Sequence, residues 1–175
     1  AVCTVCQVML QPSYGPINEF LRTIGIENPP KWLVDEHWAL IAIMLINIWS
    51  QVGYYVAVYM SGLKNVPADL YEAAQIDGAS SIQQFRYITV PQVSPTTFFL
   101  AIMGIIGSFK VFDMISVLTA GGPGNSTSVM AYYIYKTAFT DFKMGYACAL
   151  AWVLFLLIFA VTLVQWKFQD RFANE

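Results

Sequence analysis

Charge is scarce in this chain: 11% of its 175 residues are Asp, Glu, Lys or Arg, against 57% hydrophobic residues. A water-soluble domain carries about 25% charged residues. That shortfall, with a mean hydropathy of +0.55, excludes a domain wetted on every side. The nine Lys and Arg are scattered and form no stripe, which excludes a nucleic-acid partner, because phosphate binding needs clustered cations. The one histidine, His37, stands where an apolar run begins and suits an interfacial hydrogen bond better than catalysis. Three cysteines are present, Cys3, Cys6 and Cys148. Cys3 and Cys6 form a CxxC, but no second pair and no nearby histidine or acid completes a metal site, so all three read as reduced packing residues. Also missing are a GxxxxGKS/T phosphate loop, a GxSxG elbow, an HExxH pair and any cluster of acids with a histidine. Enzyme chemistry, a metal and a cofactor therefore have no basis on this chain.

What is there comes in lengths that suit a bilayer, each crossing needing about 20 apolar residues. The opening AVCTVCQVML, residues 1–10, has no Met and reads as the end of an apolar segment that begins earlier; no basic n-region or small-residue cleavage site marks it as a signal peptide. Residues 11–37 are broken by Pro12, Pro16, Pro29 and Pro30, with one surface helix in NEFLRTIGI, and form a loop outside the lipid. Residues 38–60 make the first full span, about 34 Å at 1.5 Å per residue. Trp38 and Tyr59 suit its two interfaces. Asn47, Ser50, Gln51 and Tyr54 recur every three or four residues and share one face of that span. In lipid such a face serves either hydrogen bonding between helices or the lining of a pathway.

Residues 96–118 make a second span, in which Gly104, Gly107 and Ser108 precede Lys110 and Asp113. The glycines allow close helix approach or an unwound turn beside a cavity. Lys110 and Asp113, three apart, are placed to pair on one helix face; the plainer reading is that they snorkel from a span that ends early. Residues 119–144 leave the lipid through AGGPGNSTS and an aromatic, interfacial YYIYKTAFTDFK. Residues 145–166 are the third span, and 167–175 a charged tail. The expected fold is an all-α integral membrane protein with three full transmembrane helices. The positive charges do not orient it: Lys64, Arg86, Lys167 and Arg171 lie on one side, Arg22, Lys31, Lys136 and Lys143 on the other.

Between the first two spans lies a polar island, residues 61–95. Pro67 suits the first position of a helix, Asp69 and Glu72 its opening turns, and Gly78 its end. A second helix can start at Ser80 or Ser81, each with Gln three residues on in capping-box spacing, and is expected to stop before Pro91. The island reads as helix, glycine turn, helix. Its small residues, Ala73, Ala74, Gly78 and Ala79, make a surface that another protein can approach closely. Its acidic balance disfavours an autonomous membrane-surface helix, which usually carries a basic polar face.

The island also carries a likeness. Glu72-Ala73-Ala74, three residues, Gly78, nine residues, Ile88, one residue and Val90-Pro91 resembles the EAA loop of the permease subunits of ABC importers, with Val90 where the usual pattern has Leu. PSYGPIN, PADLYEAAQIDGAS, SFKVFD, LTAGGPGNST, YIYKTAF and GYACALA are similar to the MalF/UgpA-type branch, which imports sugars and related polyols. The resemblance implies a six-helix core of which this chain supplies the last three spans and the end of the one before. It implies an inner or plasma membrane, a cytoplasmic island and extracytoplasmic loops at 11–37 and 119–144. It also implies four kinds of neighbour: a dimer of ATP-binding cassette subunits, a second permease, an extracytoplasmic solute-binding protein and the lipid. The island would be a coupling helix pair docked on the ATPase through Glu72, Ala73, Ala74, Asp77 and Gly78, with Glu72 facing an Arg of that partner, which alone hydrolyses ATP. The solute path would draw on Gly104, Ser108, Lys110 and Val111, with Asn47 and Gln51 behind them. The cargo would be a sugar, polyol or sugar phosphate. The alternatives are a non-carbohydrate solute, an ATP-independent transporter, or a structural subunit.

Overall fold

The computed structural model describes residues 2–173, with side chains described through residue 167. Among the described residues every regular element is a helix. Three helical stretches are long and apolar enough to cross a bilayer: Glu36–Lys64, Ser81–Leu118 and Met144–Lys167. The physical reason is that lipid offers backbone groups no water to bond, so a spanning segment must satisfy them internally.

The first long helix, α3 (Glu36–Lys64), starts earlier than the apolar pattern indicates. Asp35 caps it by accepting the His37 N–H at 2.9 Å, Glu36 sits in its first turn and Lys64 in its last, both matched to the helix dipole. The second departs further from expectation. Its helical run begins at Ser81, so the chain does not stop before Pro91. A π-helical turn over Phe85–Thr89 leads into α6 (Val90–Phe109), which contains Pro95. Proline lacks an N–H and its ring crowds the carbonyl four residues back. The wide turn, closed by Val90 N–H bonding Phe85 O, relaxes that demand just ahead of Pro91. In an apolar medium, breaking the helix outright would leave more groups unpaired.

At its far end the same run is interrupted. Residues 110–112 are non-helical, and α7 (Asp113–Leu118) follows with no side-chain cap at Phe112. The pairing expected of Lys110 and Asp113 needs one continuous helix. The interruption separates them, and no ion pair joins them. The third long helix is α9 (Met144–Ala173).

The chain divides into two compact units. One comprises residues 1–51 and 107–158. Its buried core is Leu10, Ala42, Ile43, Ile46, Ile115 and Leu118, and α1 (Val2–Met9), Trp32, Val111 and Tyr132 contribute packing around it. The loop 11–37 is a packed cap over this core, and its pin is Asn18, 1% exposed. Asn18 lies on α2 (Pro16–Thr23); its amide donates to Pro30 O at 3.1 Å and its carbonyl accepts from Trp32 Nε1 at 2.7 Å. The loop after α7 is gathered by Thr127, fully buried, whose hydroxyl donates to Gly122 O at 2.7 Å and lies 2.7 Å from the Thr119 hydroxyl. It leads into α8 (Met130–Tyr135) and a second π-helical turn, Lys136–Thr140.

The other unit comprises residues 52–106 and 159–175. In it the second half of α3 runs antiparallel to α6 with close approaches at two glycines. A Cβ on Gly62 would lie 2.7 Å from the Thr96 hydroxyl, and one on Gly104 would lie 2.5 Å from the Tyr55 hydroxyl. The polar island joins these two helices.

Candidate coupling site and solute-path residues

The island folds as two short helices closed by local chemistry. Helix α4 is Ala68–Ile76, with Pro67 immediately ahead of it and Asp69 in its first turn. Its end is a Schellman motif: the Gly78 N–H bonds Gln75 O at 3.0 Å and the Ala79 N–H bonds Ala74 O at 2.9 Å. Gly78 takes φ +77°, a left-handed conformation that costs a residue with a Cβ. Of the two candidate caps for the next helix, α5 (Ser81–Gln84), the structure selects Ser80. Gln83 N–H bonds the Ser80 hydroxyl, and the Gln83 side chain accepts the Ser80 N–H at 2.8 Å, a complete capping box. Gln84 then donates to Ala79 O at 3.0 Å, tying α5 back to the turn.

The burial pattern divides α4 into two faces. Tyr71 and Ala74 are half-buried and face inward; Asp69, Glu72, Ala73 and Ile76, spaced i, i+3, i+4, i+7, are exposed. Asp77 and Gly78 are exposed at the turn. The structure thus brings Glu72, Ala73, Asp77 and Gly78 onto one accessible surface and sets Ala74 behind them. The island also exposes side chains that sequence reasoning passed over: Ile76 on the outer face of α4 is 87% exposed, Ile82 on α5 is 80% exposed, and Phe85 and Tyr87 of the π turn are open. Their signal was present as apolar residues scattered through an otherwise polar stretch.

The solute-path candidates lie in both units. Asn47, half-buried, and Gln51, exposed, lie on α3 in the first unit, and neither side-chain amide has a hydrogen bond among the described residues. Ser108 and Lys110 are exposed at the end of α6, while Val111 packs against the core. Gly104 belongs to the second unit, under Tyr55. Tyr55 is a neighbour of Gly104 that the sequence reading missed, because only the helix pairing brings the two together. No group of three or more His, Cys, Asp or Glu suited to a metal occurs among the described residues.

Membrane-length helices with a polar helix-turn-helix element between two of them define a multi-pass membrane protein. The chain belongs to the family of binding-protein-dependent transport system inner membrane components, which matches it over residues 4–174. The probable ABC transporter permease protein YurN of Bacillus subtilis is 40% identical over 158 residues, covering 90% of this chain and 54% of YurN. The sulfoquinovosyl glycerol transport system permease protein SmoG of Agrobacterium fabrum is 37% identical over 151 residues, covering 86% of this chain and 49% of SmoG. A crystal structure of a bacterial ABC transporter involved in the import of the acidic polysaccharide alginate superposes with a TM-score of 0.86 at 26% identity, over 97% of this chain and 59% of that one. The chain spans about half the length of the curated relatives it matches.

Proposed function

We propose that this chain forms three spans of the permease subunit of an ATP-driven importer in a bacterial or archaeal plasma membrane. It carries a sugar, or a related polyol or sugar phosphate, with a second permease subunit and an extracytoplasmic solute-binding protein. ATP is hydrolysed on a separate pair of ATP-binding cassette subunits. The observation that carries the reading is the outer face of α4: Glu72, Ala73 and Ile76 exposed together, on a helical pair closed at its central turn and joined directly to two spans. Small and apolar residues ringed by acids fit a helix-in-groove contact with a basic partner. The island is then cytoplasmic. Closure of the ATPase pair moves α4 and α5 and rocks the attached helices between inward- and outward-facing states.

The solute reading rests on Asn47, Gln51, Gly104, Ser108, Lys110 and Val111. Free amides at membrane depth are costly in lipid and suit a watered, hydroxyl-rich cargo. The sugar-type cargoes of SmoG and of the alginate importer support the same class. The docking test is disulfide or bifunctional-thiol crosslinking in native membranes from a cysteine at Ala73, the outward alanine. It is expected to trap an ATP-binding cassette subunit, whereas a cysteine at the inward Ala74 traps it far less. Failure of Ala73→Cys to trap any cytoplasmic partner, with the protein at normal level, overturns the docking reading in favour of an ATP-independent transporter or a structural subunit.

A further inference from the structure

A docking helix is useful only if its movement reaches the membrane, and the structure offers two routes from α4 to α6. The covalent route runs through the Gly78 turn, α5 and the π-helical turn Phe85–Thr89. That route turns twice, at the hydrogen-bonded Gly78 turn and at a π turn, which holds one more residue than its helix needs. The second route is direct. Tyr71, on the inner face of α4, places its hydroxyl 2.8 Å from the hydroxyl of Thr89, both side chains being half-buried. Thr89 is the last residue of the π turn and immediately precedes α6. The bond therefore bypasses the glycine turn and α5 and lands on the last residue of the π turn.

We propose that Tyr71 and Thr89 are positioning residues for coupling: their hydroxyl pair is the strut that passes displacement of the docked α4 to the base of α6. The outer face binds the partner; the inner face holds the lever. This rests on the permease reading and specifies how its docking site acts.

The test uses the full-length permease in its assembled complex in proteoliposomes, with Cys3, Cys6 and Cys148 replaced by alanine and a reporter cysteine at Gly107, which has open space around it. The readout is the change in maleimide labelling rate at the reporter between nucleotide-free and ATP-plus-vanadate states. Tyr71→Phe and Thr89→Val each remove one hydroxyl and little else. Each is expected to shrink the nucleotide-dependent change about five-fold, the factor one net hydrogen bond supplies, while the amount of co-purified ATPase subunit stays the same. The double variant is expected to be no worse than either single one, the mark of a shared interaction, and Thr89→Ser to retain the full change. The proposal is overturned if both variants keep the parental change, if their effects add, if the loss merely tracks lost assembly, or if the parent complex shows no change at the reporter. A parent chain that carries no ATPase subunit overturns the permease reading itself.

Discussion

Lys110 stands without the partner that helical spacing offers it. Its side chain is exposed in the gap between α6 and α7, while Asp113 is committed to the first turn of α7, where the helix dipole favours an acid. On the proposed solute path, an unneutralised cation beside Ser108 would favour cargo with negative charge over a purely neutral sugar. We therefore expect Lys110→Ala to raise the KM for an acidic saccharide about ten-fold, in line with a charge-assisted hydrogen bond, and to leave neutral sugars little changed. Uptake kinetics that are flat across both classes would reduce Lys110 to a snorkelling residue. Asn18 shows the opposite case, a residue whose work is structural. Replacing it with alanine strips Trp32 Nε1 of its acceptor and Pro30 O of its donor at a part-buried site, at about 1 kcal/mol for each stranded group. A thermal unfolding midpoint lowered by several degrees in detergent checks this; an unchanged one contradicts the pinning role.

At the scale of the element, the island is settled by its two closures more than by helix propensity, since α4 has nine residues and α5 four, well below what holds alone in water. Gly78→Asp places a side chain where φ is +77°, a strain of about 1–2 kcal/mol, and adds charge on the exposed surface proposed for docking. Normal membrane insertion with lost ATP-driven uptake is the expected result, and undiminished uptake at normal expression would remove the coupling role. The helix, glycine turn, helix pattern was legible because each signal is local: a proline, a glycine and a serine three residues before a glutamine. What failed was the stop before Pro91. That rule describes a proline in isolation, whereas here the lipid-spanning segment on its far side holds the backbone helical and the extra residue is absorbed as a π turn. The same limit explains Lys110 and Asp113, whose spacing promises a pair only while the helix continues between them.

Across the whole molecule, the membrane-length helices keep most of their apolar side chains uncovered: Leu100 is the one buried residue of α6, and Trp49, Trp152 and Phe155 are open. Lipid and neighbouring subunits suit such faces. Reconstituted with its partners, the permease is expected to move a saccharide only when ATP and the binding protein are both supplied; flux without ATP would return the ATP-independent alternative. Composition and run length by themselves determined that the described residues are all-helical, with three helices long and apolar enough to cross a bilayer and a structured polar hairpin between two of them, because hydrophobic length and capping chemistry are properties of neighbouring residues. Only the tertiary structure decided which alanine of the EAA triplet faces out, that Tyr71 reaches Thr89, that Tyr55 covers Gly104, and that Asn18 binds its loop. Those contacts join residues many turns apart, and their partners are selected by how helices pack against one another, which no local pattern records.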